Sequence, residues 1–182
     1  MHNKFFSKYY FIDKFNKNHL EKLDRSIHII YRQTKNNENF KIIKNILKYC
    51  RKNNIKFYLA NNFKLAIKLD LDGVYISAFN RDTKHNCYSL KKNFKIIGSA
   101  HNIYEINLKK QQKVECFFLS SVFKKKSNYL KIYGFMRLNN FIKKKSFALG
   151  GVSTKHLNLL KFIGSNGFAG INIFEKKRPL KN

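Results

Sequence analysis

The sequence predicts a single, short (β/α)8 barrel. Short apolar runs alternate along the chain with segments of helical period, which is typical of parallel strands joined by crossover helices. No Gly-x-Gly-x-x-Gly motif follows the first run, so a closed barrel is favoured over a doubly wound dinucleotide-binding sheet. The last two runs each end in small residues, as the phosphate-holding strands of such barrels commonly do. We therefore assign residues 1–182 to one barrel domain.

Eight strands are predicted, each a short run rich in β-branched or aromatic side chains and bounded by polar residues or glycine. In chain order they cover residues 9–13, 27–32, 55–60, 73–76, 93–99, 115–122, 147–151 and 167–172. Only residues 174–182 follow the eighth strand, so the final helix is expected to be very short or absent.

Helices are predicted where apolar residues recur every three or four positions. Phe40, Ile43, Ile46 and Cys50 show this spacing most clearly, and they place one amphipathic helix between the second and third strands. In chain order the predicted helices cover residues 19–24, 38–53, 62–69, 103–112, about 135–142, and 153–163.

Glycines at the ends of the last two strands suggest a phosphate site. Gly150 and Gly151 end the seventh strand, and Gly170 lies near the end of the eighth. Without a Cβ, such residues let backbone amides approach a phosphate closely. A Gly-Gly pair after an apolar run is also an ordinary turn, so the pattern alone leaves both interpretations open.

The charge balance points to an anionic partner or to codon bias. The chain has 38 Lys and Arg residues against 10 Asp and Glu, a net charge of +28. Nearly all of the excess is Lys, whereas nucleic-acid readers use Arg heavily. A composition rich in Lys, Asn, Ile and Phe is what A/T-rich codons encode. We therefore favour drift on solvated faces, and polyanion binding stays open because such a field attracts anions.

Cysteine usage and hydropathy predict the compartment. Cys50, Cys87 and Cys116 are widely spaced and form no Cys-x-x-Cys pair, which favours free thiols in a reducing compartment. No apolar run approaches the roughly 18 residues of a membrane span. We expect a cytoplasmic protein without a membrane partner, and homo-oligomer formation is left open.

Several motifs in register resemble the thiamine phosphate synthase/TenI family of (β/α)8 barrels. They are IGSAHN (97–102) with Glu105, FLSSVF (118–123), ALGGV (148–152) and NGFAGI (166–171), continued upstream by Tyr31-Arg32, Leu59-Ala60-Asn61 and DGVY (72–75). The resemblance covers about residues 9–174. It implies an enzyme of thiamine biosynthesis that couples an aminopyrimidine-methyl pyrophosphate to a thiazole phosphate and releases pyrophosphate. Charge stabilisation would carry such a reaction, with little need for a protein nucleophile.

The resemblance also implies ligands at particular positions. It places substrate or pyrophosphate contacts at Arg32, Asn61, Asn62, Ser99, His101, Lys124, Lys125, Lys126 and Ser127. It places thiazole-phosphate contacts at Gly150, Gly151, Gly170, Ile171 and Asn172.

At the metal positions the chain departs from the family. The family's two magnesium-binding aspartates correspond to Asn62 and a position near Asn80, with Asp82 two residues further on. Mg²⁺ prefers anionic oxygen ligands, so these substitutions put the implied Mg²⁺ site and ordinary synthase chemistry in question. The general-base histidine of TenI corresponds to Ser121, so TenI chemistry gains no support either.

Two candidate sites have equally good structural interpretations. His101 could contact a phosphate or act as an acid or base, or it could cap the helix that begins at Ile103. Residues 124–126 could form a phosphate clamp or an ordinary solvated loop. Three functions stay open: a thiamine phosphate synthase-like transferase, a phosphate-ester-binding barrel that has lost catalysis, and, least favoured, a basic nucleic-acid-associated protein.

Overall fold

The computed structural model describes residues 6–33, 39–125 and 127–175, and these form a closed parallel barrel of eight strands in chain order. The predicted fold class is therefore confirmed. The strands are β1 (Ser7–Ile12), β2 (Ile27–Tyr31), β3 (Phe57–Ala60), β4 (Gly73–Ile76), β5 (Lys95–Ala100), β6 (Cys116–Ser120), β7 (Lys145–Leu149) and β8 (Gly167–Gly170).

Seven α-helices surround the barrel in the described part of the chain. They are α1 (Lys17–Leu20), α2 (Phe40–Lys52), α3 (Phe63–Lys68), α4 (Ile103–Gln111), α5 (Lys131–Ile142), α6 (Leu157–Phe162) and α7 (Asn172–Glu175). Two 3₁₀ turns, Lys84–Cys87 and Thr154–His156, precede β5 and α6. The final helix of the barrel begins as α7, which is the last element of the described residues.

The predicted helix over residues 153–163 is wrong at its first turn. Its beginning is the 3₁₀ turn Thr154–His156, and α6 starts only at Leu157. The side chains of Ser153 and His156 form a reciprocal capping box with each other's backbone amides. This local bonding satisfies the first amides of the segment, which competes with a regular α-helical start.

Aromatic and aliphatic side chains fill the inside of the barrel. The inward cluster consists of Tyr9, Phe11, Ile30, Tyr58, Tyr75, Ile97, Cys116, Phe118, Phe147 and Ala169, all buried. Alternate strand residues point outward and pack beneath the helices. Tyr10 belongs to this outer layer and donates a hydrogen bond to Glu175 Oε1 at 3.1 Å. Tyr9 and Phe11 therefore belong to the barrel interior, and Tyr10 belongs to the layer between the strands and the helices.

Two further observations concern expectations about the compartment. All three cysteines have free thiols, with Cys50 and Cys116 buried and Cys87 exposed. Among the described residues, no helix has the length and hydropathy that a membrane crossing needs.

We expect His28 to make the fold sensitive to mild acid. Its ring lies 5.0 Å from the Tyr9 ring, and burial, with a smaller effect of Lys95, lowers the pKa of His28 to about 4. As the pH falls below 6.5, the unfolded chain takes up this proton before the folded chain does, so stability decreases down to about pH 4. The loss amounts to about 3 kcal/mol, at 1.36 kcal/mol per pKa unit.

Urea unfolding measured from pH 7 to pH 4.5 checks this expectation. His28→Gln removes the titrating ring and should flatten the dependence of the free energy of unfolding on pH. An unchanged slope in this variant would contradict the assignment.

Candidate functional site

Arg32 lies at the carboxyl end of β2 and over the barrel interior. Its backbone N–H donates to the Ile12 carbonyl at 2.8 Å, and its guanidinium carbon lies 5.1 Å from the Phe11 ring centroid. Burial raises the pKa of Tyr75, and the charge of Arg32 partly opposes that rise. Arg32 therefore directs its positive charge into the mouth of the barrel, as its position in the sequence predicts.

Ser99 forms part of the barrel interior. It is 4% exposed, and its Oγ accepts a hydrogen bond of 2.8 Å from the Tyr75 hydroxyl. Because a buried hydroxyl without a partner is costly, this bond gives Ser99 a structural role. A contact between Ser99 and a ligand stays a prediction.

His101 is bound to the beginning of α4. Its backbone N–H donates to Glu105 Oε2 at 2.7 Å, and its ring Nδ1 lies 2.9 Å from the same oxygen. Asn102 is the N-cap and accepts from the Glu105 amide at 2.9 Å. The residue that caps α4 is thus Asn102 and not His101, and His101 is tied to the first turn of the helix through the Glu105 carboxylate. The carboxylate orients the imidazole through Nδ1, so Nε2 is the ring nitrogen available for contact with a ligand.

Three neighbouring polar side chains join the ends of β3 and β4. Asn61 has a φ of 59°, and its Nδ2 donates to Ser77 Oγ at 2.9 Å. Its Oδ1 accepts from the Ser77 amide at 2.9 Å and from Asn80 Nδ2 at 3.2 Å. The structure therefore brings two of the predicted residues, Asn61 and Asn80, into direct contact.

The residues at the family's metal positions do not fit a magnesium site. Asn62 Oδ1 caps α3 by accepting from the Leu65 amide, and Asn80 Oδ1 accepts from the Asp82 amide. Asp82, the one carboxylate of the set, uses Oδ1 to accept from the Lys84 amide. Within residues 6–33, 39–125 and 127–175, no group of three or more His, Cys, Asp or Glu could hold a metal ion. Two neutral amides and one carboxylate, each engaged with a backbone amide, are a poor donor set for Mg²⁺.

Two buried residues of the α4 end hold this loop from below. Lys109 Nζ donates to the Asn80 carbonyl and to Gln112 Oε1, both at 2.8 Å. Gln112 Nε2 donates to the carbonyls of Asn80 and Asp82, at 3.1 and 2.7 Å. Both side chains have 0% exposure, and burial lowers the pKa of Lys109 to about 8. Sequence reasoning missed them, although Lys109 lies three residues after the buried Ile106 on the same helix face.

Beside this network opens a pocket of about 290 Å³, whose lining includes Asn61, Asn62, Asn80 and Asp82. A second pocket of about 300 Å³ lies between the β1 end, α1 and α7. None of the predicted site residues lines the second pocket.

Gly150 and Gly151 pack against the segment that follows β6. The Val122 and Phe123 amides donate to the carbonyls of Leu149 and Gly150, at 3.0 and 2.9 Å. Gly151 has a φ of 75°, and a Cβ added there would lie 2.6 Å from the Lys124 amide nitrogen. Close approach of the backbone is thus observed, but the approaching partner is the chain itself. Phosphate binding at these glycines stays a prediction.

His156 is a neighbour of this segment that sequence reasoning missed. Its ring stacks on Phe123 with centroids 3.9 Å apart and planes 4° apart. Ser153 donates from its backbone to His156 Nδ1 at 3.2 Å. The three-residue spacing of Ser153 and His156, typical of a capping box, was the signal that could have found it.

The other predicted ligands lie on the surface of the same face. Lys124, Lys125 and Ser127 are exposed, and Lys126 falls outside the described residues. Gly170 ends β8, and Ile171 is 38% exposed. Asn172 begins α7 and does not continue the strand, which corrects the predicted end of the eighth strand.

The molecule is a (β/α)8 barrel with an arginine and a group of amide side chains around the carboxyl ends of its strands. A family model described as thiamine monophosphate synthase (TMP-TENI) matches residues 14–174. The chain belongs to this family, as the sequence motifs predict. No curated protein has a significantly similar sequence.

Solved structures confirm the fold. Thiamine phosphate pyrophosphorylase from Pyrococcus furiosus has a TM-score of 0.74 at 17% identity, over 95% of this chain and 92% of that one. The protein of the same name from Bacteroides thetaiotaomicron has a TM-score of 0.64 at 18% identity, over 97% and 88%. The putative copper homeostasis protein CutC from Streptococcus agalactiae has a TM-score of 0.71 at 13% identity, over 92% and 99%. At these identities the likeness shows the fold alone.

A structural role of Ser99 predicts coupling with Tyr75. Ser99→Ala leaves the buried Tyr75 hydroxyl without its acceptor and should lower the free energy of unfolding by about 1–3 kcal/mol. The double variant Tyr75→Phe/Ser99→Ala should lose less than the sum of the single variants, by about 1 kcal/mol. Denaturant unfolding of all four proteins measures this, and strict additivity would contradict the role.

Gly151→Ala and Gly164→Ala separate backbone strain from close packing. Both glycines have φ near 75°, but a Cβ at Gly164 would meet only Asn139 Nδ2, at 3.4 Å. We expect Gly164→Ala to cost about 1 kcal/mol of stability, and Gly151→Ala about 3 kcal/mol because it also displaces the Lys124 backbone. Equal losses of stability for the two variants in thermal unfolding would show that the Lys124 backbone moves at little cost, and would contradict a role of close packing at Gly151.

Proposed function

We propose that this chain is a thiamine phosphate synthase-like transferase. The substrates would be an aminopyrimidine-methyl pyrophosphate and a thiazole phosphate. In the reaction, the bond between the methylene carbon and the pyrophosphate oxygen breaks, and its electron pair leaves with pyrophosphate. The thiazole nitrogen supplies the electron pair of the new carbon–nitrogen bond. Family membership over residues 14–174 is the observation that carries the proposal.

The position of Arg32 supports this chemistry. The leaving group gains negative charge as the bond breaks, and a positioned guanidinium stabilises that charge through two parallel hydrogen bonds. Arg32 lies over the Phe11 ring and has no ion-pair partner among the described residues. Its charge is thus available to an anion in the mouth.

The substrate pocket would be closed below by the barrel interior. Phe11, Tyr75 and Phe118 are all buried and pack against one another. An apolar floor excludes water from the reacting carbon, and this protects a carbocation-like centre from hydrolysis. We assign no step to Mg²⁺, because the residues at the family's metal positions do not fit the ion.

A second candidate function is a phosphate-ester-binding barrel without catalysis. The observation that favours it is that the side-chain oxygens of Asn62, Asn80 and Asp82 accept hydrogen bonds from backbone amides. At the family's metal positions these oxygens therefore stabilise the local backbone and do not form a set of metal ligands. Such a protein would retain ligand binding at the mouth but no turnover.

Product formation tests the proposal directly. The purified chain, given both phosphorylated substrates and Mg²⁺, should form thiamine phosphate, detected by liquid chromatography and mass spectrometry. Saturable calorimetric binding of thiazole phosphate without product would favour the second candidate. The absence of both product and binding would contradict both candidate functions.

Arg32→Met should lower kcat/KM by at least about tenfold, because it removes a charge-assisted contact to the leaving group. Arg137→Met is the matched control, since Arg137 is an exposed residue of α5 and its loss removes the same charge. Equal effects of the two substitutions would indicate a general influence of net charge and would contradict the role of Arg32.

A further inference from the structure

The loop that follows β4 is built around an internal ammonium group. Lys109 Nζ lies 2.8 Å from the Asn80 carbonyl, 2.8 Å from Gln112 Oε1 and 3.5 Å from the Ala78 carbonyl. Lys109 has no ion-pair partner within the described residues. Its hydrogen-bond partners are therefore neutral oxygens, and the carboxylate of Glu105, four residues earlier on α4, acts on the ammonium only from beyond ion-pair distance.

Burial of an unpaired ammonium normally costs several kcal/mol. Here carbonyl oxygens at hydrogen-bond distance replace the lost water, and the charge orients them toward itself. The consequence is a loop whose backbone is fixed at Asn80. The Asn80 side chain in turn donates to Asn61 Oδ1. The ammonium therefore helps to fix Asn61 at the rim of the barrel through Asn80.

A comparison of net charge shows how the Lys109 ammonium and the amide side chains differ from a metal site. Two metal-binding carboxylates and one Mg²⁺ ion sum to no net charge, whereas two amides and one ammonium sum to one positive charge. Asp82 adds a carboxylate at the loop surface, and Lys64 and Lys84 line the same pocket. The rim therefore stays electropositive without a bound divalent cation.

We propose that this chain binds the pyrophosphate-type anion at the β4 loop without a divalent cation, with Lys109 as the residue that positions the loop. The proposal rests on the proposed function for the identity of the anion. Lys109 touches no ligand in this scheme, and it acts through Asn80 and Asn61.

Calorimetric titration of inorganic pyrophosphate into the wild-type chain tests the metal independence. At 0.15 M salt, which screens most of the exposed charge, we expect the affinity in EDTA to stay within about twofold of that in Mg²⁺ at matched free pyrophosphate. A loss of about tenfold or more on metal removal would overturn the proposal. Electron paramagnetic resonance of Mn²⁺ gives a second measurement, and one tightly bound ion per chain would also overturn it.

Substitutions test the part played by Lys109. Lys109→Met should weaken pyrophosphate binding by about tenfold or more through misplacement of the loop, whereas Lys110→Met, an exposed neighbour on the same helix, should not. In Lys109→Ala, added propylammonium should restore part of the affinity and neutral propanol should not. Equal effects of the two solutes would overturn a role for the charge. If no Lys109 variant folds, the wild-type measurements decide.

The failures of the two proposals are distinguishable. Absence of pyrophosphate binding with and without Mg²⁺ overturns the inference on Lys109. If the product assay then still forms thiamine phosphate, the proposed function holds although the inference on Lys109 fails. Metal-independent binding without any product would support the inference and reject synthase turnover.

Discussion

Edge-to-face packing of aromatic rings fills the barrel, and the residues at the mouth of the barrel are positioned by contacts with these rings. The Tyr9 ring lies 5.0 Å from Phe118 and 5.2 Å from Phe147, and the Phe11 ring lies 5.0 Å from Tyr75. Such contacts add to the free energy gained by burial, and they favour one relative orientation of the rings. Arg32 over Phe11 and Ser99 bonded to Tyr75 take their positions from this layer.

The face above this layer divides into two halves of different character. At β2, cationic and apolar groups meet, since the guanidinium of Arg32 lies directly over Phe11. At β3 and β4, hydrogen bonds join amide side chains to the backbone through Asn61 and Asn80. The first half suits stabilisation of a departing anion, and the second gives a fixed polar rim.

The fold could be read from the sequence because its signals are local. Alternating apolar runs and helical periods depend on neighbouring residues, and the eight strands occur where they were predicted. The position of Arg32 followed from the same order. Lys109 could not be foreseen, since a lysine on a helix normally extends into solvent and its burial depends on the carbonyls of a distant loop. For Gly151, the sequence indicated a close backbone contact, but its partner, Lys124, is fixed only by the closed barrel.

The contact between the β6 end and the β7 end also limits which sequences this barrel tolerates. A Cβ on Gly150 would collide with Ser121 Oγ, and Ser121 Oγ already donates to the Lys124 carbonyl at 2.7 Å. Ser121 and Gly150 therefore share one volume and must vary together. A larger side chain at position 121 requires a new path for the loop as well as a new residue. A histidine at position 121 would therefore require several simultaneous changes in the two loops.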